Sequence, residues 1–155
     1  MERLLGAYKQ VTLYYSNSNI VSKEEFERRL SCVEDMAGRF SVPLLVDPYE
    51  HSSWLAKTGH LAREPEGGAR CRFCFEWSLQ RAAVKSEQEG IGAFATTLTV
   101  SPLKLSRAIL QLGSEFTDFA PWDFKKRDGY RRGVELAREW GYYRQNFCGC
   151  EFSLR

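Results

Sequence analysis

Short apolar runs alternate with helix-forming segments along this chain of 155 residues. Residues 11–15 (VTLYY) and 43–46 (PLLV) are apolar and β-prone, so they are expected to form buried strands. Between them, Ser22 and Glu25 have the spacing of a capping box, and apolar residues then recur at steps of three and four. The pattern therefore predicts a helix over residues 22–40 that connects two strands.

The rest of the chain continues this alternation, which is typical of parallel α/β units. We therefore predict an α/β fold with a parallel sheet, in one domain over residues 1–155. Its first strand is missing, because helix-like sequence precedes residue 11 and the first unit begins halfway. The later elements expected are a short helix around Trp54, helices over 71–89, 103–112 and 130–140, a strand over 94–98 and a weaker strand over 115–120.

Composition excludes several classes of protein. With 43% apolar and 27% charged residues, the chain is neither disordered nor fibrous, and a net charge of +2 does not by itself indicate a nucleic-acid partner. Its longest stretch without a charged side chain, residues 90–103, is shorter than the ~20 residues that a membrane helix needs. No basic and apolar signal peptide opens the chain, so we expect a cytoplasmic protein.

Five cysteines in such a protein favour metal or redox chemistry over a disulfide framework. Cys71 and Cys74 form a CxxC motif near a predicted helix start, where backbone N–H groups favour thiolates. The pair could ligate a metal, act as a thioredoxin-like dithiol or pack as small hydrophobic residues. The residues before it are a polar loop, which argues against the thioredoxin alternative.

Cys148 and Cys150 flank a single glycine, a rarer arrangement than CxxC. A disulfide over this spacing closes a tight ring, and a strained disulfide is easily reduced, which suits a dithiol that relays electrons. The two thiols could instead complete a four-cysteine zinc site with the CxxC motif, or be inert. Cys32, inside the amphipathic helix, is expected to be buried and unreactive.

Taken together, these motifs resemble the QueH family of epoxyqueuosine reductases. The resemblance covers nearly the whole chain in order, and the two cysteine motifs with their flanking residues make it specific. The matching positions are residues 15–20 (YSNSNI), Asp47, 64–71 (EPEGGARC), 74–75, 96–98 (TTL), 101–102 (SP), 123–126 (DFKK) and 143–150 (YRQNFCGC).

The resemblance implies an enzyme that reduces epoxyqueuosine to queuosine at the wobble position of tRNA. It also implies a parallel α/β fold of the HUP or Rossmann-like kind. The cofactor would be a 4Fe-4S iron–sulfur cluster, with a possible additional iron and without cobalamin. Carried over by motif, Cys71 and Cys74 are cluster ligands, while Cys148 and Cys150 are a redox-active pair fed by an external electron donor.

One part of the family pattern has no counterpart here. The family carries an N-terminal Cys-Cys-x-x-Cys segment that supplies further cluster ligands, whereas this sequence opens on the helix that follows it. We therefore expect that N-terminal residues are missing from the sequence, or that the chain is an inactive homologue. Two thiolates do not satisfy a cluster that is held by four ligands.

Further candidate site residues lie at predicted strand ends and in the C-terminal part. Asp47 is a candidate general acid, although a turn-capping role before Pro48 is the alternative. Asn19 is a candidate for orienting substrate hydroxyls, and Tyr143 and Arg144 for contacting the tRNA anticodon loop. Residues 121–155 carry eight Lys and Arg among aromatic side chains, a combination that suits single-stranded RNA.

Two rival functions of a different class stay open at this stage. A zinc-stabilised RNA- or nucleotide-binding module would use all four motif cysteines as a tetrahedral site. A plain nucleotide-binding α/β protein would carry a glycine-rich phosphate loop, and this sequence has none. His51 and His60 lie in polar surroundings, and the sequence assigns them no role.

Overall fold

A computed structural model describes residues 1–154 and divides the chain into two compact units. The first unit contains residues 1–56 and the C-terminal segment from Tyr143, and the second unit contains Lys57–Tyr142. The prediction of a single domain over the whole chain stays a prediction.

The first unit is built on a β-α-β element. Strands β1 (Leu13–Tyr15) and β2 (Leu44–Val46) pair in parallel, with Leu13 opposite Leu44. They are joined by helix α2 (Lys23–Phe40), which begins where the sequence predicts, because the Ser22 hydroxyl accepts a hydrogen bond from the Glu25 N–H at 3.2 Å. These predicted elements are confirmed, with shorter strands.

Tyr15, Ile20 and Phe26 are the buried centre of this unit. The Tyr15 and Phe26 rings meet edge to face at 4.9 Å, and the Tyr15 hydroxyl donates to the Phe26 carbonyl at 2.9 Å. Burial raises the pKa of Tyr15, so the phenol stays neutral and keeps this hydrogen bond at any ordinary pH. These contacts between Tyr15 and Phe26 hold the start of α2 against the end of β1.

The second unit is helical. Its apolar centre includes Leu79, Ile109 and Leu112, all of which are buried. A short helix α1 (Glu2–Leu5) opens the first unit, and α3 (His51–Thr58) runs across the boundary between the units. The second unit continues with a 3₁₀ turn (Gly59–Leu61), α4 (Ala69–Gln88), a second 3₁₀ turn (Thr97–Val100), α5 (Ser106–Gly113) and α6 (Gly129–Glu139).

The strands predicted over residues 94–98 and 115–120 are wrong. Only a single parallel bridge, between Phe94 and Phe119, joins the two segments. The β-branched threonines suggested a strand, but a threonine hydroxyl also competes for backbone hydrogen bonds. Buried Thr99 donates to the Trp122 carbonyl at 3.0 Å and accepts from the Phe124 N–H at 3.1 Å, which holds residues 97–100 in a turn.

Helix α5 begins three residues later than predicted. The Ser101 hydroxyl accepts from the Leu103 N–H at 3.3 Å, and this local turn occupies the residues assigned to the first helical turn. Leu103 and Leu105 are consequently exposed. Among the described residues the only sheet has two strands, so the fold is mixed α/β, and the Rossmann-like topology stays a prediction.

No helix in the described part of the chain is both long and apolar enough to cross a membrane.

A glycine-to-alanine pair tests the packing of the second unit. A Cβ on Gly113 would lie 2.2 Å from the Phe119 ring, so Gly113→Ala should lower the free energy of unfolding by about 1–3 kcal/mol. Gly133, inside α6, has nothing within 4 Å of its Cβ position, so Gly133→Ala should raise stability by about 0.5–1 kcal/mol. Urea denaturation measures both values, and equal effects would contradict this packing.

Candidate functional site

The first unit holds Cys148 and Cys150 in a turn that only glycine fits at its centre. Gly149 has φ +132°, a conformation that residues with a side chain rarely adopt. A Cβ at this position would also lie 3.2 Å from both Arg29 Nη1 and Asn19 Nδ2. Cys150 is buried and Cys148 is half-buried, so the two thiols differ in their access to solvent.

Arg29 of α2 holds this turn through hydrogen bonds to its backbone carbonyls. Its guanidinium donates to the Cys148 carbonyl at 3.0 Å and to the Phe147 carbonyl at 3.4 Å, and lies 5.1 Å from the centre of the Phe147 ring. The same guanidinium donates through Nε to Glu25 at 2.7 Å, and both side chains are nearly buried. A buried ion pair of this kind orients the arginine fork toward the carbonyls.

The loop after β1 contacts the same turn. The Val21 N–H donates to the Gly149 carbonyl at 2.9 Å, and the Asn19 amide packs against Gly149. Two other predicted substrate residues follow α6: Tyr143 lies 5.0 Å beneath the Arg28 guanidinium, and Arg144 is exposed. The structure therefore brings Asn19 to the cysteine turn.

Asp47 directly follows β2 and is buried. Its Oδ2 accepts hydrogen bonds from the Tyr14 hydroxyl and, at 2.6 Å, from the Ser16 hydroxyl. The Asp47 N–H donates to the Tyr15 carbonyl at 2.9 Å. These contacts join the carboxyl ends of β1 and β2, the edge at which parallel sheets bind ligands. The role of Asp47 as a general acid stays a prediction.

His51 is the residue that sequence reasoning missed. Its ring lies between Tyr49 and Trp54 in a stacked arrangement, at 6.2 and 5.6 Å from their ring centres. Nδ1 is 2.9 Å from the Ser18 carbonyl, and Nε2 is 3.3 Å from a carboxylate oxygen of Glu151. The only signal in the sequence was its place shortly after a strand end, which does not distinguish it from an ordinary loop histidine.

In the second unit, Cys71 and Cys74 lie in the first turns of α4. The Gly67 N–H donates to the Cys71 sulfur at 3.3 Å. The Glu64 carboxylate accepts from the Ala69 N–H at 3.2 Å, and a Cβ on Gly68 would lie 2.8 Å from that carboxylate. A side chain at position 68 would therefore displace the Glu64 carboxylate and crowd the Pro65 carbonyl oxygen, which lies 3.1 Å from the Cβ position.

The loop that precedes α4 is held in place by the buried side chain of Arg70. Although it is an arginine, it is only 3% exposed. One guanidinium nitrogen donates to the carbonyls of Leu61, Ala62 and Glu64 at 3.0, 3.0 and 2.7 Å. Because the loop is fixed in this way, the Gly67 N–H stays directed at the first cysteine of the motif.

The described residues of either unit, taken alone, do not gather three or more His, Cys, Asp or Glu side chains into a metal site. Each cysteine motif thus supplies two sulfurs. A four-cysteine zinc site, which would need ligands from both units, stays a prediction. Cys32 is half-buried rather than buried as predicted, because it lies at the margin of the apolar stripe of α2, with its sulfur 3.7 Å from the Arg28 carbonyl.

Comparison with known proteins gives one consistent family. The family model for epoxyqueuosine reductase QueH matches residues 1–155. The chain is 36% identical to the epoxyqueuosine reductase QueH of Streptococcus pyogenes, over 97% of this chain and 64% of that protein. It is 34% identical to that of Staphylococcus epidermidis, over 96% of this chain and 68% of the relative. It is 32% identical to the epoxyqueuosine reductase QueH of Thermotoga maritima, over 94% of this chain and 80% of that protein. The chain thus spans about two thirds of the length of the first two relatives.

Substitution of Gly149 tests the geometry of the cysteine turn. Gly149→Ala places a side chain at φ +132° and against Arg29, so it should cost about 1–3 kcal/mol and make Cys150 react faster with an alkylating reagent. Gly38→Ala, inside α2 with nothing within 4 Å of its Cβ position, is the matched control: it should leave the alkylation rate of Cys150 unchanged and, like Gly133→Ala, raise stability by about 0.5–1 kcal/mol. Unchanged alkylation in Gly149→Ala would contradict the tight turn.

Proposed function

This chain belongs to the QueH family of epoxyqueuosine reductases, and from that premise we propose that it reduces epoxyqueuosine to queuosine at the wobble position of tRNA. The epoxide oxygen leaves as water and an alkene forms, which consumes two electrons and two protons. The observation that carries the proposal is the combination of the family match with two cysteine motifs held in defined turns. Because the proposed substrate is a tRNA, a cytoplasmic location is part of the proposal.

The Cys148–Cys150 pair is proposed as the entry point for electrons. Half-buried Cys148 would meet an external dithiol or other electron donor, and buried Cys150 would face the interior of the first unit. A disulfide across one glycine is strained, and strained disulfides are readily reduced and re-formed. The Arg29 fork holds the turn through the carbonyls of Phe147 and Cys148.

Cys71 and Cys74 are proposed as two ligands of an iron–sulfur cluster. The donor set fits half of that role: thiolates are the usual cluster ligands, and a backbone N–H directed at the Cys71 sulfur is typical of such sites. The described residues of the second unit complete no larger ligand set, so the remaining ligands would come from outside it. When bound, such a cluster supplies electrons one at a time.

Substrate contacts are proposed at the carboxyl ends of the strands. Asp47 would hold the proton that goes to the departing oxygen, and Asn19, beside the cysteine turn, would orient substrate hydroxyls. Tyr143 and exposed Arg144 would contact the anticodon loop. The parallel β1-α2-β2 element supports a HUP-like fold, in which ligands bind at this edge.

Anaerobic reconstitution with iron and sulfide tests this function on the full chain. We expect visible cluster absorption, and conversion of epoxyqueuosine to queuosine in tRNA detected by mass spectrometry of the nucleosides. Cys71→Ser and Cys74→Ser should lose both signals, because each removes one of the thiolate ligands proposed here. Cys32→Ser, which changes a half-buried thiol on α2, is the matched control and should keep both.

One more variant distinguishes the role of the Cys148–Cys150 pair from that of Cys71 and Cys74. Cys148→Ser should keep the absorption and lose turnover, because only the entry of electrons is interrupted. A colourless chain that binds one zinc ion would overturn the reductase in favour of a zinc-stabilised binding module. Full turnover in Cys148→Ser would refute the electron-relay role alone.

A further inference from the structure

The two ring nitrogens of His51 each face an oxygen acceptor. Nδ1 lies 2.9 Å from the Ser18 carbonyl, and Nε2 lies 3.3 Å from Glu151 Oε1. A neutral imidazole carries only one N–H, so it can donate to only one of them. The arrangement is satisfied when the imidazole and the carboxyl hold two protons between them, which leaves the pair without net charge.

The pairing of His51 with Glu151 lies in a mostly buried environment. The His51 side chain is 13% exposed and stacks on Trp54, which is 1% exposed, so the dielectric is low and charges interact strongly. Tyr49, on the other face, donates its hydroxyl to the Ile20 carbonyl, and burial, Glu24 and Glu151 together raise its pKa, so it stays neutral. His51 is thus the basic side chain that pairs with Glu151 among the described residues.

The second oxygen of that carboxylate supports the same conclusion. Glu151 Oε2 is buried and accepts no hydrogen bond from the described residues. The Ser18 hydroxyl is also buried and has no hydrogen-bond partner among the described residues. Compensation of the Glu151 charge in this region therefore depends on His51.

Glu151 is on the same turn as the buried thiol. Cys150 precedes it directly and caps the 3₁₀ turn Glu151–Ser153, in which the Ser153 hydroxyl donates to the Cys150 carbonyl at 2.8 Å. Thiol–disulfide exchange passes through thiolates as attacking and leaving groups. An uncompensated carboxylate on this turn would repel both of them.

We propose that His51 is a positioning residue that neutralises Glu151 and thereby keeps the Cys148–Cys150 pair reactive toward an external dithiol. The inference rests on the relay role in the proposed function. In the exchange, one donor thiolate attacks the Cys148–Cys150 disulfide and the second donor thiol releases it. One S–S bond breaks in the protein and one forms in the donor, while two electrons and two protons pass to the cysteines.

Reduction of the oxidised full chain by dithiothreitol, followed by trapping of thiols at set times, tests the proposal. His51→Gln leaves the carboxylate uncompensated, so the rate constant should fall by about tenfold. The double variant His51→Gln/Glu151→Gln removes that charge and should return the rate to near that of the unsubstituted chain. His60→Gln, which changes an exposed histidine, is the matched control and should leave the rate unchanged.

Rescue by the second substitution separates charge balance from a merely structural role. If the double variant is as slow as His51→Gln, or if His51→Gln is as fast as the unsubstituted chain, the proposal is wrong. If His51→Gln does not fold, the single variant Glu151→Gln tests the proposal. The disulfide of Glu151→Gln should be reduced at least as fast as that of the unsubstituted chain, and a slower reduction overturns the proposal. A chain that forms no Cys148–Cys150 disulfide at all would refute the relay itself, a result distinct from a failure of rescue.

Discussion

The buried pair of Glu25 and Arg29 is the interaction on which the first unit depends. Glu25 lies in the first turn of α2, where its N–H also completes the Ser22 cap, so the helix start and the ion pair are fixed together. Arg29 then reaches carbonyls that are 118 and 119 residues away along the chain. Removal of one member of a buried pair leaves an uncompensated charge and typically costs about 3–5 kcal/mol. The Arg29 side chain therefore fastens the C-terminal cysteine turn to the first β-α-β element, beside the backbone bond from the Val21 N–H to the Gly149 carbonyl.

The two cysteine motifs are positioned by the same device. In the first unit Arg29 donates to carbonyls beside Cys148, and in the second unit Arg70 donates to the carbonyls of the loop before Cys71. An arginine fork satisfies several carbonyls at once and so fixes the backbone that carries the thiols. Glycines complete each turn where a side chain would collide, at positions 68 and 149. A redox or metal-binding thiol needs a fixed backbone with a reactive side chain, and both motifs meet that need.

Local signals in the sequence predicted much of this structure. The Ser22 cap, the α2 stripe and both short strands follow from spacing alone, and the cysteine motifs with their flanks identified the family. The strand over residues 94–98 was wrong, because the Thr99 hydroxyl bonds to backbone that follows more than twenty residues later. The sequence did not single out Arg29 or Arg70, since helical periodicity cannot show that a guanidinium reaches buried carbonyls. His51 was missed for the same reason: its partners lie 33 and 100 residues away.

Amide hydrogen exchange measures most directly whether Arg29 fastens the cysteine turn. The Val21 N–H, which donates to the Gly149 carbonyl, reports on the contact between the turn and the loop after β1. In Arg29→Ala this amide should exchange at least tenfold faster relative to the amides in the core of α2, a further loss of protection of about 1.4 kcal/mol beyond any change in α2 itself. Arg39→Ala removes an exposed ion pair from the same helix and should leave the Val21 amide unchanged. Unaltered protection of Val21 in Arg29→Ala would show that the turn is held by other contacts.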